Sequence, residues 1–202
     1  MRALLLIDLQ NDFCPGGSLP VPQGDEVMEV ANNLMPKFSL VVATKDWHPP
    51  GHVSFASTHG MKVGEVIEVN GIKQILWPEH CIQGSKGAEF HPNLNAKNIS
   101  QVIYKGTEPT IDSYSGFFDN ARQKKTGLDD FLRSKQVDTL YVMGLATDYC
   151  VKYTVLDGLS LGYKVYVIID GCRGVNVRPQ DEELAIKEMQ TKGALLIKSG
   201  EV

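Results

Sequence analysis

Three residues of this chain stand where strands should end and carry side chains that could do chemistry. Asp8 directly follows the apolar run 3–7, so its carboxylate falls at a strand terminus. Taken alone, an Asp there is as readily a turn former or a helix cap. Lys105 closes the run 101–104 just before Gly106, and by itself it reads as an ordinary solvated lysine. Cys150 follows the run 139–143 through the turn Gly144-Leu145-Ala146-Thr147-Asp148-Tyr149, after which a helical stripe begins. With Thr147 or Asp148 as N-cap, Cys150 falls in the first helical turn. Free amides and the positive end of the helix there lower a thiol pKa and can receive an oxyanion. A lone cysteine in that position is more often a small buried hydrophobe. Its company changes the reading: Asp8, Lys105 and Cys150 end three different strands, so they could converge on one crevice as base, electrostatic stabiliser and nucleophile.

A second constellation is Asp46-Trp47-His48, then His52, then Trp77-Pro78-Glu79-His80-Cys81. Asp46 and His48 sit two positions apart at a strand end and can point to the same side, with a later loop supplying a third ligand. Three protein ligands leave positions open for water and substrate, as at a catalytic metal. Any one of these histidines could equally pack or cap a loop. A structural zinc site of His48, His52, His80 and Cys81 is a further alternative, although its spacing matches no common finger.

The elements that must position these groups follow from apolar patterning. Near-continuous apolar runs at 3–7, 39–43, 101–104, 139–143, 164–169 and 194–197 predict strands buried on both faces of a sheet. Residues 25–38 carry a helical stripe of Val27, Val30, Ala31, Leu34, Met35 and Phe38. A second stripe runs through Val151, Val155, Gly158, Leu159 and Gly162, and Pro179 at a first-turn position opens a third helix over 180–192. The alternation predicts an α/β fold: one domain over 1–202, with a parallel sheet flanked by helices on both faces in Rossmann-like layers and ligands at the carboxyl ends of the strands. The stretch 44–98 shows no such pattern and is expected to be irregular and functional.

Composition narrows the function classes. A formal charge of −4 over 202 residues, with Lys and Arg scattered, gives no electrostatic reason to expect nucleic acid or an anionic membrane surface. A small-molecule ligand is expected, for a monomer or a homo-oligomer. Four widely spaced cysteines with no C-x-x-C pair fit reduced thiols in a cytoplasm. The opening MRALLLIDLQ breaks at Asp8, too early for a signal peptide, and no run approaches the roughly 18 apolar residues of a membrane span. No G-x-G-x-x-G follows the first strand and no P-loop lysine occurs, so no nucleotide cofactor is expected.

In this order the motifs Asp8-Leu9-Gln10-Asn11-Asp12-Phe13, Thr44-Lys45-Asp46-Trp47-His48-Pro49, Gly51-His52-Val53-Ser54-Phe55, Trp77-Pro78-Glu79-His80-Cys81, Tyr104-Lys105-Gly106, Asp112-Ser113-Tyr114-Ser115-Gly116-Phe117 and Gly144–Val151 resemble the nicotinamidase/pyrazinamidase family of the isochorismatase-like cysteine hydrolases, almost end to end. The resemblance implies a triad of Asp8, Lys105 and Cys150, and a metal site of Asp46, His48 and His80. His52 matches a position that is a ligand in some members and stands behind the ligands in others. It further implies a cis peptide at Leu145–Ala146, an oxyanion hole of the Ala146 and Cys150 amides, and a substrate pocket walled by Phe13, Trp77, Tyr114, Leu145 and Tyr149. The implied activity is hydrolysis of nicotinamide to nicotinate and ammonia through a thioester, with pyrazinamide as a second substrate, in NAD salvage. One divalent metal is implied; zinc suits an Asp/His/His set, and iron and manganese accept it too. Isochorismatases proper lack the cysteine and the metal cluster. An N-carbamoyl hydrolase would share the triad without needing the metal to hold a pyridine, and a non-catalytic metal-binding module would use the histidine loop alone.

Overall fold

The computed structural model describes residues 1–69 and 71–202. In chain order its elements are β1 (Arg2–Ile7), α1 (Val27–Leu34), β2 (Val41–Asp46), α2 (Ala56–His59), β3 (Val66–Val69), β4 (Ile72–Ile75), β5 (Gln101–Lys105), α3 (Leu128–Ser134), β6 (Thr139–Leu145), α4 (Lys152–Ser160), β7 (Lys164–Arg173), α5 (Asp181–Thr191) and β8 (Leu195–Ile197). Six strands form one sheet in the order β5-β2-β1-β6-β7-β8, and every pairing within it is parallel. The chain steps outward from β1 through β2 to β5, then returns to the other side of β1 with β6 and continues to β8. The order therefore reverses between β1 and β6, and at such a switch point the crossovers diverge and leave a crevice at the carboxyl ends.

All six predicted strands are present. β1 is central, and Ala3 through Ile7 are fully buried, which is why its apolar run is unbroken rather than alternating. Close approach of β6 to β1 depends on Gly144. Its φ is +129°, and a Cβ there would sit 2.7 Å from Ile7 N and nearer still to Ile7 O. Among the described residues no helix is long and apolar enough to cross a membrane.

Several boundaries differ from the sequence expectation. The helix expected over 25–38 is α-helical only over Val27–Leu34, with 3₁₀ turns at Gly24–Glu26 and Met35–Lys37. Pro36 lacks the N–H needed to continue the α-helix. Gly162 lies beyond α4, with φ +88° in the turn that ends it. Pro179 is not in the first turn of α5: Gln180, with φ 75°, is the N-cap, and Pro179 precedes it. The stretch 44–98 is less irregular than expected, since it carries α2 and the antiparallel hairpin of β3 and β4. α3, in which Leu128 and Leu132 are buried, was not evident from patterning.

Candidate active site and metal centre

Strand ends deliver the site. Asp8 follows β1 with φ 49°, a left-handed bend that Asp tolerates better than most residues. Asp46 and Lys105 are the last residues of β2 and β5 and are register partners across the sheet. After β6 the chain passes through a cis peptide at Leu145–Ala146 and a single π-helical turn, Thr147–Val151, that holds Cys150. The expected side-chain cap is absent: Ala146 is the N-cap. Asp148 instead accepts the amides of Val175 and Asn176, and the Thr147 hydroxyl donates to Glu182. Asp148 thus fastens the turn to the segment after β7, and Thr147 fastens it to the first turn of α5.

Asp8, Lys105 and Cys150 converge in the interior. The Lys105 ammonium donates to Cys150 Sγ at 3.3 Å, to the Ser113 carbonyl at 3.0 Å and to Asp46 Oδ1. Asp8 Oδ2 lies 2.8 Å from the same nitrogen as its ion-pair partner and, although buried, has no other polar partner. Asp8 Oδ1 accepts from the Thr44 hydroxyl at 2.6 Å. One carboxylate oxygen of the pair is therefore anchored, and the other is left to accept a proton.

Electrostatics follow from burial. Desolvation raises the Asp8 pKa, partly opposed by Lys105. Burial disfavours the Lys105 ammonium, but Asp46 and Asp8 outweigh it and hold its pKa well above the ordinary lysine value. Burial also lifts the Cys150 thiol well above its usual range, against Lys105 and with Asp8 and Asp46 adding to the rise. Burial beside two carboxylates thus opposes the lowering expected from a helix start.

Asp46 leads into a second cluster. Asp46 Oδ2 lies 3.5 Å from His48 Nε2 and 3.7 Å from His80 Nε2. His48 Nδ1 is bonded to the Gly106 carbonyl and His80 Nδ1 to the Pro78 carbonyl, each at 2.8 Å. A carbonyl can only accept, so both Nδ1 atoms carry the proton and both Nε2 lone pairs face the same carboxylate oxygen. His48 Nε2 is buried without any hydrogen-bond partner. Two lone pairs and a carboxylate turned on one point fit a divalent cation. His52 differs: its Nε2 donates to the Ile111 carbonyl and its Nδ1 accepts from Ser54, so it has no free lone pair. It stacks on the His48 ring with centroids 4.2 Å apart. Burial and the neighbouring His48 push its pKa down to about 4. Cys81 belongs to the apolar core.

Phe13, Trp77, His80, Tyr114, Ala146, Tyr149 and Cys150 line one small cavity with Asp46 and Asp112. Trp77 and Tyr149 meet edge to face at 4.9 Å, and the Trp77 indole N–H donates to the Tyr114 hydroxyl at 3.1 Å. Leu145 is not part of this lining: its fully buried side chain turns into the core and faces Gly24. The Tyr149 and Val151 amides donate to the Ala146 carbonyl. Sequence reasoning gave no role to Thr44, Gln10 or Gly106. Thr44 is two positions before Asp46 on β2, which places both on one face of the strand. Gln10 clamps both sides of the Asp46 peptide, its Oε1 accepting the Asp46 amide and its Nε2 donating to the Asp46 carbonyl, each at 2.8 Å.

This fold and strand-end site define a hydrolase of the Isochorismatase domain family, whose model matches residues 2–201. Over 199 residues the chain is 56% identical to the nicotinamidase of Escherichia coli (strain K12), a match covering 96% of this chain and 93% of that relative. It superposes on an Acinetobacter baumanii nicotinamidase/pyrazinamidase with a TM-score of 0.96 at 43% identity, covering 99% of this chain and 97% of the other. On the pyrazinamidase of Pyrococcus horikoshii in complex with zinc the TM-score is 0.80 at 38% identity, covering 98% of each chain. The chain belongs to this family and, within it, to the nicotinamidases.

Proposed function

We propose that this chain hydrolyses nicotinamide to nicotinate and ammonia in NAD salvage, as a single cytoplasmic domain, with pyrazinamide as a second substrate. The observation that carries the reading is the juxtaposition, through the shared Asp46 and Lys105, of a thiol–carboxylate–lysine triad with an Asp/His/His cation centre. Asp8 Oδ2 takes the Cys150 proton as sulfur adds to the carboxamide carbon, and the Ala146 and Cys150 amides receive the charge on oxygen. Collapse of that adduct breaks the C–N bond, and Asp8 returns the proton to the departing ammonia. Asp8 then deprotonates a water that adds to the thioester and, as the C–S bond breaks, returns that proton to sulfur; the nicotinic acid released loses its own proton to the ammonia. Lys105 stays charged throughout and offsets the negative charge on Asp8 and sulfur.

Asp46, His48 and His80 would hold one divalent ion, with zinc favoured by the donor set and iron or manganese accepted, which supplies a Lewis-acid contact for the ring nitrogen and for water. Phe13, Trp77, Tyr114 and Tyr149 would sandwich the ring. These side chains leave a cavity of about 30 Å³ beside Cys150. Four free, buried thiols support a reducing compartment.

Ammonia release by metal-replete protein tests the reading. Nicotinamide and pyrazinamide are expected to turn over, and benzamide, which lacks a ring nitrogen, to be much poorer. Equal rates on benzamide would refute ring orientation by the cation.

A further inference from the structure

Asp12 carries a buried carboxylate that no step above uses. Its Oδ2 accepts the Cys81 amide at 2.7 Å, and its Oδ1 accepts the Ser18 amide at 3.2 Å. Its own amide donates to the Gly87 carbonyl at 3.0 Å. The fit is close: a Cβ on Gly87 would overlap all three atoms of the Asp12 carboxyl group, so only glycine lets the carboxylate lie where it does.

Cys81, whose amide Asp12 holds, joins the two histidines of the cation centre. Cys81 follows His80 directly, and its carbonyl accepts the His48 amide at 2.9 Å. The His48 carbonyl in turn accepts the Gln83 amide at 2.9 Å, completing a short parallel bridge between the two loops. Cys81 itself has φ 48°, a left-handed conformation that a side-chain-bearing residue keeps only where its surroundings enforce it. The Asp12 carboxylate is the group that bonds to this bend from outside the two loops.

We infer that Asp12 is a positioning residue for the cation centre. By fixing the Cys81 amide it sets the direction of the His80 ring, and through the Cys81 carbonyl it sets the backbone at His48, so that both Nε2 atoms meet Asp46 Oδ2. Its partner Gly87 supplies the space. Asp12 touches neither substrate nor ion, so its removal should appear first as weakened ion affinity. The inference rests on the reading that Asp46, His48 and His80 hold a divalent ion.

The test is competition for Zn²⁺ and for Mn²⁺ between a chromogenic chelator and the metal-stripped full chain. It compares the wild type with Asp12→Ala, Gly87→Ala, Asp12→Asn and His80→Ala, with the unfolding temperature of each metal-free protein measured in parallel. The wild type is expected to bind one ion and His80→Ala to lose it. Asp12→Ala and Gly87→Ala should each bind about 10–100-fold more weakly, the range typical for groups that orient metal ligands. Asp12→Asn, which keeps an acceptor oxygen for Cys81, should lose less, and saturating ion should restore most of kcat in all three. If Asp12 only supports the fold, the metal-free unfolding temperature falls while the Kd matches the wild type, and the inference is overturned. Gly87→Ala decides the matter should Asp12→Ala fail to fold. A wild type that binds no ion, or a His80→Ala that binds as well, would bring down the underlying reading together with the inference; unchanged affinity in the Asp12 and Gly87 variants alone would bring down only the inference.

Discussion

Removing the Lys105 charge leaves Asp8 and Asp46 as two buried carboxylates without a counter-ion. Breaking a buried ion pair by deleting one partner typically costs about 3–5 kcal/mol. Lys105→Met should therefore destabilise the metal-free protein by about that amount in urea denaturation, with turnover lost as well. A variant as stable as the wild type would mean that the two carboxylates are not both ionised beside it. Cys150→Ala removes only a small buried group, so the fold should persist while turnover falls by about 10⁴-fold or more, in line with other nucleophile deletions. Substantial residual hydrolysis in that variant would exclude a thioester. Legibility at this scale was uneven. Asp8 and Lys105 could be picked out because each directly follows an apolar run, and Cys150 because it stands between the turn that ends such a run and a helical stripe. The raised thiol pKa could not, because it depends on how deeply Cys150 is buried and on two carboxylates that arrive from other strands.

Strand ends set the geometry, and two glycines show how tightly. Gly106 follows β5 with φ +62°, and a Cβ there would sit 2.6 Å from His48 Nδ1, the atom its own carbonyl accepts from. Gly106→Ala should displace the His48 ring, and bound ion and turnover should fall together while the circular dichroism spectrum is kept. Retention of both in Gly106→Ala would mean that the ring is held by other contacts. Gly144→Ala acts on the fold instead, since the added Cβ meets the backbone of Ile7 and the required φ is unfavourable for alanine. A loss on the order of 3 kcal/mol or more is expected in chemical denaturation. The six sheet strands were legible from their apolar runs, which burial on both faces enforces in β1 and β2, while the edge strands β5 and β8 keep exposed positions. β3 and β4 were not, since Val66 is exposed and their side chains alternate only weakly between burial and solvent. The cap at Cys150 was misread for a related reason: Thr147 and Asp148 have cap chemistry, but their partners lie beyond β7, nearly thirty residues or more away.

At the scale of the whole molecule, the sheet, its helices and the switch point at β1 and β6 are built by an apolar core that owes nothing to a bound ion. Chelation is therefore expected to abolish activity while most of the far-ultraviolet circular dichroism survives; unfolding on chelation would point to a structural metal instead. The parallel order and the crevice at the carboxyl ends could be anticipated from strand–helix alternation, because right-handed crossovers leave few other arrangements. The loop that reaches back over the crevice was marked by the motif at 77–81 rather than by patterning, since His80 arrives on a segment without periodicity. The most direct measurement is mass spectrometry of metal-replete protein mixed with nicotinamide and quenched in acid on the millisecond scale, followed by peptide mapping. One nicotinoyl group is expected as a thioester on the peptide that carries Cys150, decaying as nicotinate appears and absent from Cys150→Ala. Turnover with no acyl adduct at any quench time, or an adduct on Cys14, Cys81 or Cys172, would contradict nucleophilic attack by Cys150.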